Sequence, residues 1–193
     1  MQQPMPYPQP PQRPASSGSS TVVIVVVAIV GIVFLVGILG VLALSGVRKY
    51  LQNAKAAEAL NSVGAIGRSA ATSYESESPP ALCARASKPV PETIGMVSGK
   101  KYQSSTIDWS RDAASKAGFA CLHFEMSSPQ YYQYDYQVAG SSSRRAVGDS
   151  FHAIAHGDLD GDGAESTFDL EGHIAAGGTV ALSPTVAQTN PTE

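Results

Sequence analysis

The sequence predicts an α+β protein: a long N-terminal helix, with a transmembrane half and an amphipathic half, packed on a small antiparallel sheet of about four strands. Three observations predict it. Thr21 to Leu44 is a run of 24 residues without a charge or an amide. Arg48 to Glu77 has no proline and carries apolar residues at helical spacing. Beyond Gly118 the apolar residues recur with the period of two expected of half-buried strands.

Composition bounds the functional classes. The 193 residues are 43% hydrophobic and 15% charged, with a net charge of −3, which excludes a wholly disordered chain. The 13 Lys and Arg are scattered and outnumbered by 16 Asp and Glu, so charge gives no case for a nucleic-acid partner. The charges are also segmented. None lies between Arg13 and Arg48, and no Lys or Arg follows Arg145.

Residues 1–20 form a Pro/Gln/Ser-rich tail. Pro4, Pro6, Pro8, Pro10, Pro11 and Pro14 enforce extended backbone, and the Ser/Gly run that follows is flexible. This tail reads as a disordered spacer, the alternative being a ligand for a polyproline-binding groove. Residues 21–44 are the transmembrane helix. At 1.5 Å per residue they span roughly 36 Å, enough for a ~30 Å hydrocarbon core with tilt. A buried core helix rarely runs so long without a polar face, and a secretory signal has a shorter apolar stretch. Membrane lipid is therefore an expected partner.

Residues 45–78 extend the helix. Ala56, Leu60, Val63, Gly67, Ala70 and Tyr74 form one apolar stripe, with Lys55, Glu58, Asn61 and Arg68 elsewhere. Pro79 and Pro80 end it. Residues 79–117 are loop-rich, with a short helix expected around Trp109 to Ala117. Residues 118–182 are the sheet region. Its candidate strands are Phe119–Met126, Tyr131–Val138, Ser150–His156 and Thr167–Glu171. In these, Tyr132, Tyr134, Tyr136, Phe151, Ala153, Ala155, Phe168 and Leu170 would face inward. Residues 183–193 read as a disordered tail.

This organisation resembles the type IV pilins and pseudopilins. The residues that carry the likeness are Gly37-Ile-Leu-Gly-Val-Leu-Ala-Leu-Ser-Gly-Val-Arg-Lys-Tyr50 and Ala54-Lys-Ala-Ala-Glu-Ala. Cys121-Leu-His-Phe, Pro129-Gln-Tyr-Tyr and Gly157-Asp-Leu-Asp-Gly-Asp-Gly with Ser166-Thr-Phe are similar to segments of pilin-like proteins from deltaproteobacterial lineages. The resemblance implies a fimbrial or pseudopilin role, and no Ser/His/Asp order or Gly-rich phosphate loop points to an enzyme. The chain would be a structural subunit or minor component of a type IV pilus or type II secretion-like assembly, partnered through its helix by other pilin-like subunits. Family members carry a glycine, then a phenylalanine and a glutamate, just before the apolar run. With Gly37 and Tyr50 in register, Val23, Ile24 and Ala28 stand at those places. The processing site and the assembly glutamate are thus replaced, and the leader is expected to be retained. The other reading is an uncleaved, membrane-anchored binding module with a pilin fold that does not polymerise.

Two topology signals oppose each other. Arg48, Lys49 and Lys55 outnumber Arg13 and favour a cytoplasmic C-terminal domain, whereas the resemblance places that domain outside. Cys83 and Cys121, an even pair in a small domain, suit an oxidising compartment. A bridge between them would contribute roughly 4 kcal/mol on the chain-entropy model, the alternative being two free thiols. The expected location is therefore the bacterial inner membrane, single-pass, with the C-terminal domain extracytoplasmic.

The sharpest chemical motif is Asp158-Leu-Asp160-Gly-Asp162-Gly163. Alternate carboxylates with glycine at the sixth place match the start of an EF-hand calcium loop, and the twelfth place is Asp169. The flanks read as strands, so a plain hairpin turn explains the two Asp-Gly pairs equally. His123, His152, His156 and His173 could gather across the sheet, but no zinc-ligand spacing accompanies them. The run at Tyr131, Tyr132, Tyr134 and Tyr136 reads as cross-strand packing with phenol groups reaching solvent, or as a binding face.

Overall fold

The computed structural model describes residues 18–191. The polyproline part of the N-terminal tail and the last two residues lie outside the described residues. The chain divides into two compact units, Met1–Gly46 and Val47–Glu193. Helix α1 runs Gly18–Ser76, 59 residues, so it begins three residues earlier than the predicted boundary. In the first unit Val22–Gly40 is 19 residues long and none of it is buried. It is long and apolar enough to cross a membrane.

In the second unit the later turns of α1 join a single hydrophobic core with an antiparallel sheet. The sheet has five strands: β1 Gln133–Ala139, β2 Ser150–Gly157, β3 Ser166–Ile174, β4 Val180–Leu182 and β5 Ala187–Thr189. Their order is β1-β2-β3-β4, with β5 also on β3. The central register places Tyr136 opposite Ala153, and Ala153 opposite Leu170. One sheet face buries Tyr134, Tyr136, Phe151, Ala153, Ala155, Phe168 and Leu170, with Tyr132 just before β1. The alternation read from the sequence is the alternation of burial. From α1 the core takes Ala56, Ala59, Val63, Ile66, Ala70 and Tyr74. Ala59 and Ile66 are wholly enclosed, whereas Leu60 of the predicted stripe is half-buried.

The β1 edge of the sheet is covered. Residues 82–104 run along β1. Ala86 N–H donates to Tyr136 O at 2.9 Å, Val90 and Tyr134 exchange two bonds of 2.8 Å, and Tyr102 N–H donates to Gln130 O at 2.9 Å. On the other side β4 pairs with Gly172–Ile174 and β5 with Thr167–Asp169. The strap pairs the β1 edge and so removes it as a template for a foreign strand, whereas β4 and β5 are short edge strands of three residues each.

Three expectations are corrected. Phe119–Met126 is not a strand: α3 is a helix over Gly118–Leu122, which places Cys121 in a helix. Phe119 and Leu122 are buried at a helical interval of three, and Phe119 meets Trp109 edge to face at 4.9 Å. His123, with φ 52°, closes the turn. The sheet therefore starts at Gln133. The expected helix at Trp109–Ala117 is instead α2, Thr106–Trp109, followed by a 3₁₀ turn at Ala113–Ser115. Asp108 starts α2 by accepting from Ser105 N–H at 2.8 Å. Finally, the predicted C-terminal tail supplies β5. Its three side chains are all exposed, so no burial pattern marked it.

Candidate functional site

The Asp158–Asp162 motif forms the turn from β2 to β3. Gly161 and Gly163 have φ of 82° and 92°, which glycine adopts without the Cβ penalty. Asp158 is buried at the base of the turn. Its Oδ2 accepts from Ser98 Oγ at 2.5 Å and Gly163 N–H at 3.2 Å, and its Oδ1 from Gly161 N–H at 2.7 Å. The Ser98 hydroxyl and these amides hold the Asp158 carboxyl below its ordinary range. Asp160 and Asp162 are exposed, and each accepts from the amide two residues on, at 3.3 and 2.7 Å. Such Asx geometry is turn chemistry in its own right.

One ligand oxygen from each of Asp158, Asp160 and Asp162 falls within 4.8 Å of the others. Hard cations such as calcium take oxygen ligands of this kind. Asp169 does not join them, which corrects the expected fourth ligand. It lies within β3, on the face opposite Phe168 and Leu170, and its carboxylate oxygens stand 3.0 and 3.1 Å from His152 Nδ1. The strand period decides this, because odd and even positions of β3 face opposite ways.

Among the described residues no histidine belongs to a group of three or more converging metal-type ligands. His156 Nδ1 meets Thr167 Oγ1 at 3.1 Å, and His123 ends α3 on the surface. Among the described residues the three aspartates form the one group of three or more metal-type ligands in close convergence. Three of the four tyrosine phenols do not reach solvent, contrary to the sequence reading; Tyr131 is half-buried. Tyr132, Tyr134 and Tyr136 are fully buried, and burial pushes all three hydroxyls up from the ordinary tyrosine range.

Cys83 and Cys121 are bridged, with an S–S distance of 2.00 Å and Cα atoms 5.9 Å apart. The bridge ties the start of the strap along β1 to α3, and Ser73 Oγ of α1 donates to Cys121 O at 3.2 Å.

Two features went unread in the sequence. Glu58, on α1, accepts from Tyr131 N–H at 2.8 Å and from Tyr134 Oη at 3.2 Å, so it clips the helix to the start of β1. Burial raises its pKa against the opposing effect of those bonds. Beside it Lys55 and Lys101 both stand over the Tyr131 ring, at 4.7 and 4.6 Å. The second feature is Asp149, which organises the β1–β2 loop by accepting from Ser141 N–H, Ser141 Oγ and Ala146 N–H. Those bonds, led by the Ser141 hydroxyl, lower its pKa. Only the spacing of Glu58 beside the apolar stripe could have pointed to the first; nothing local marks the second.

Comparison with known proteins finds no matching family model, no matching curated protein and no matching solved structure.

Proposed function

We propose that the chain is a pilin-like, single-pass membrane protein of a bacterial inner membrane, acting as a structural subunit or minor component of a type IV pilus or type II secretion-like assembly. The observation that supports this reading is helix α1. Val22–Gly40 presents apolar side chains with none buried, and Ala56–Tyr74 of the same helix braces a small antiparallel sheet. An exposed apolar stretch of that length needs lipid or other helices to cover it. The disulfide favours an extracytoplasmic location for the second unit. Weak calcium binding is proposed for the turn of Asp158, Asp160 and Asp162, supported by their converging oxygens.

The non-polymerising binding module is the second reading, favoured by Val23, Ile24 and Ala28 at the family's processing and glutamate positions. Cross-linking separates the two. The full chain, expressed in bacterial inner membranes and treated with a bifunctional amine-reactive ester that links lysines such as Lys49 and Lys55, should give a ladder of multimers if it is a subunit. Dimer and higher bands absent at every reagent concentration would discard the assembly role and leave the anchored module. Recovery of the chain in the carbonate-soluble fraction would discard both.

A further inference from the structure

The two sulfurs of the bridge have unequal surroundings. Cys83 belongs to the hydrophobic core, 3% exposed, between buried Leu82 and the strap along β1. Cys121 is partly exposed on α3. Beside it opens a cavity of about 310 Å³ lined by Glu77, Ala113, Lys116, Ala120, Cys121 and His123. Lys116 is exposed on the left-handed turn just before α3, and His123 on the one that closes it. Thiol–disulfide exchange needs an incoming thiolate or disulfide to reach a sulfur, and a nearby positive charge favours the anionic sulfur involved.

We propose that Cys121 is the exchange site of this protein, the sulfur through which a dithiol–disulfide oxidoreductase or a small disulfide installs and removes the bridge. In the oxidising direction the Cys121 thiolate attacks one sulfur of the donor disulfide, whose S–S bond breaks and expels one donor thiolate. Cys83, losing its proton to solvent, then attacks the Cys121 sulfur of the mixed disulfide and expels the second donor thiolate. The two protein thiols give up two electrons and two protons, and the donor disulfide is reduced to two thiols. Reduction is the reverse, with the entering thiolate attacking Cys121 and Cys83 leaving first. Lys116 lines the same cavity and supplies positive charge there, alongside the Glu77 carboxylate. This proposal rests on the bridge and its cavity, and stands independently of the membrane and assembly readings.

The test uses the full chain in detergent. Native wild type is exposed to excess glutathione, quenched with acid and peptide-mapped. In parallel the single-cysteine chains Cys83→Ser and Cys121→Ser are labelled with a maleimide–polyethylene glycol reagent before and after denaturation. Expected are a glutathione adduct on Cys121, native labelling of Cys121 at least about tenfold faster than of Cys83, and a several-fold slower reaction at Cys121 in Lys116→Gln. An adduct on Cys83, or a bridge that reacts only after denaturation, overturns the proposal. The wild-type mapping decides the question even where a single-cysteine variant does not fold.

Discussion

Glu58 is the most informative single residue, because one carboxylate serves two donors across the helix–sheet boundary. Removing it leaves the Tyr131 amide and the Tyr134 hydroxyl without that acceptor, so Glu58→Ala should cost about 1–3 kcal/mol in urea unfolding. Its pKa is raised by burial, so the fold favours the protonated form. That contribution is complete below the ordinary glutamate value of about 4.3 and is lost as pH rises through the higher folded value. The stability of wild type relative to Glu58→Gln should therefore fall as pH rises above the ordinary glutamate range, and a flat or rising difference would contradict the assignment. Asp149 has the opposite sign. Its lowered pKa gives stability that is present above the ordinary aspartate range and lost as pH falls through the folded value. Acid unfolding should accordingly be shallower in Asp149→Asn than in wild type. At Asp158, Asp160 and Asp162 a cation would offset the repulsion of three converging carboxylates. Binding at the 10⁻⁴–10⁻³ M level of extracellular modules would add about 0.4–1.4 kcal/mol at 1 mM calcium. A melting series should show a calcium-dependent rise in wild type that is absent in Asp160→Asn. Identical melting in calcium and chelator would leave the motif a turn alone.

At the scale of elements, packing explains which parts of the fold were legible. Strands β1, β2 and β3 announced themselves because Tyr134, Tyr136, Phe151, Ala153, Phe168 and Leu170 alternate between core and surface. The amphipathic turns of α1 were legible for the same reason, although the core takes Ala59 and Ile66 where the spacing alone had chosen Leu60. Three elements were hidden, among them β4, whose three half-buried residues show no alternation. The apolar run at Phe119–Phe124 suits a strand locally, and only its pairing with Trp109 and the bridge to Cys83 selects a helix. Strand β5 is held by backbone bonds to β3 and buries no side chain, so it left no mark in the sequence. The site divides the same way: the aspartate turn and the bridge were legible as local motifs, while Glu58 and Asp149 act through partners chosen by tertiary contact. Packing tightness also yields a test. A Cβ at Gly172 would meet Phe151 Cζ at 2.4 Å, whereas one at Gly177 would meet nothing within 4 Å. Gly172→Ala should lose about 1–3 kcal/mol, and Gly177→Ala should stay within about 0.5 kcal/mol. Equal effects would mean that β3 is not pressed against Phe151 as described.

For the whole molecule, the two units differ in what they bury and what they expose. The Val47–Glu193 unit has a continuous core, a strap along the β1 edge and a bridge of sequence separation 38, worth roughly 4 kcal/mol on the chain-entropy model. The described part of the first unit is helix, with an exposed apolar stretch at Val22–Gly40 that water would not tolerate at that length. The proposed role depends on lipid covering that stretch and on the bridged unit lying beyond the cytoplasm. Protease accessibility in spheroplasts tests this most directly, with the full chain in a bacterial inner membrane and an epitope at each end. The proposed topology predicts resistance to carbonate extraction, loss of the C-terminal epitope under protease, and survival of the N-terminal epitope until the membrane is dissolved. A C-terminal epitope protected in intact spheroplasts, or a chain released by carbonate, would contradict it.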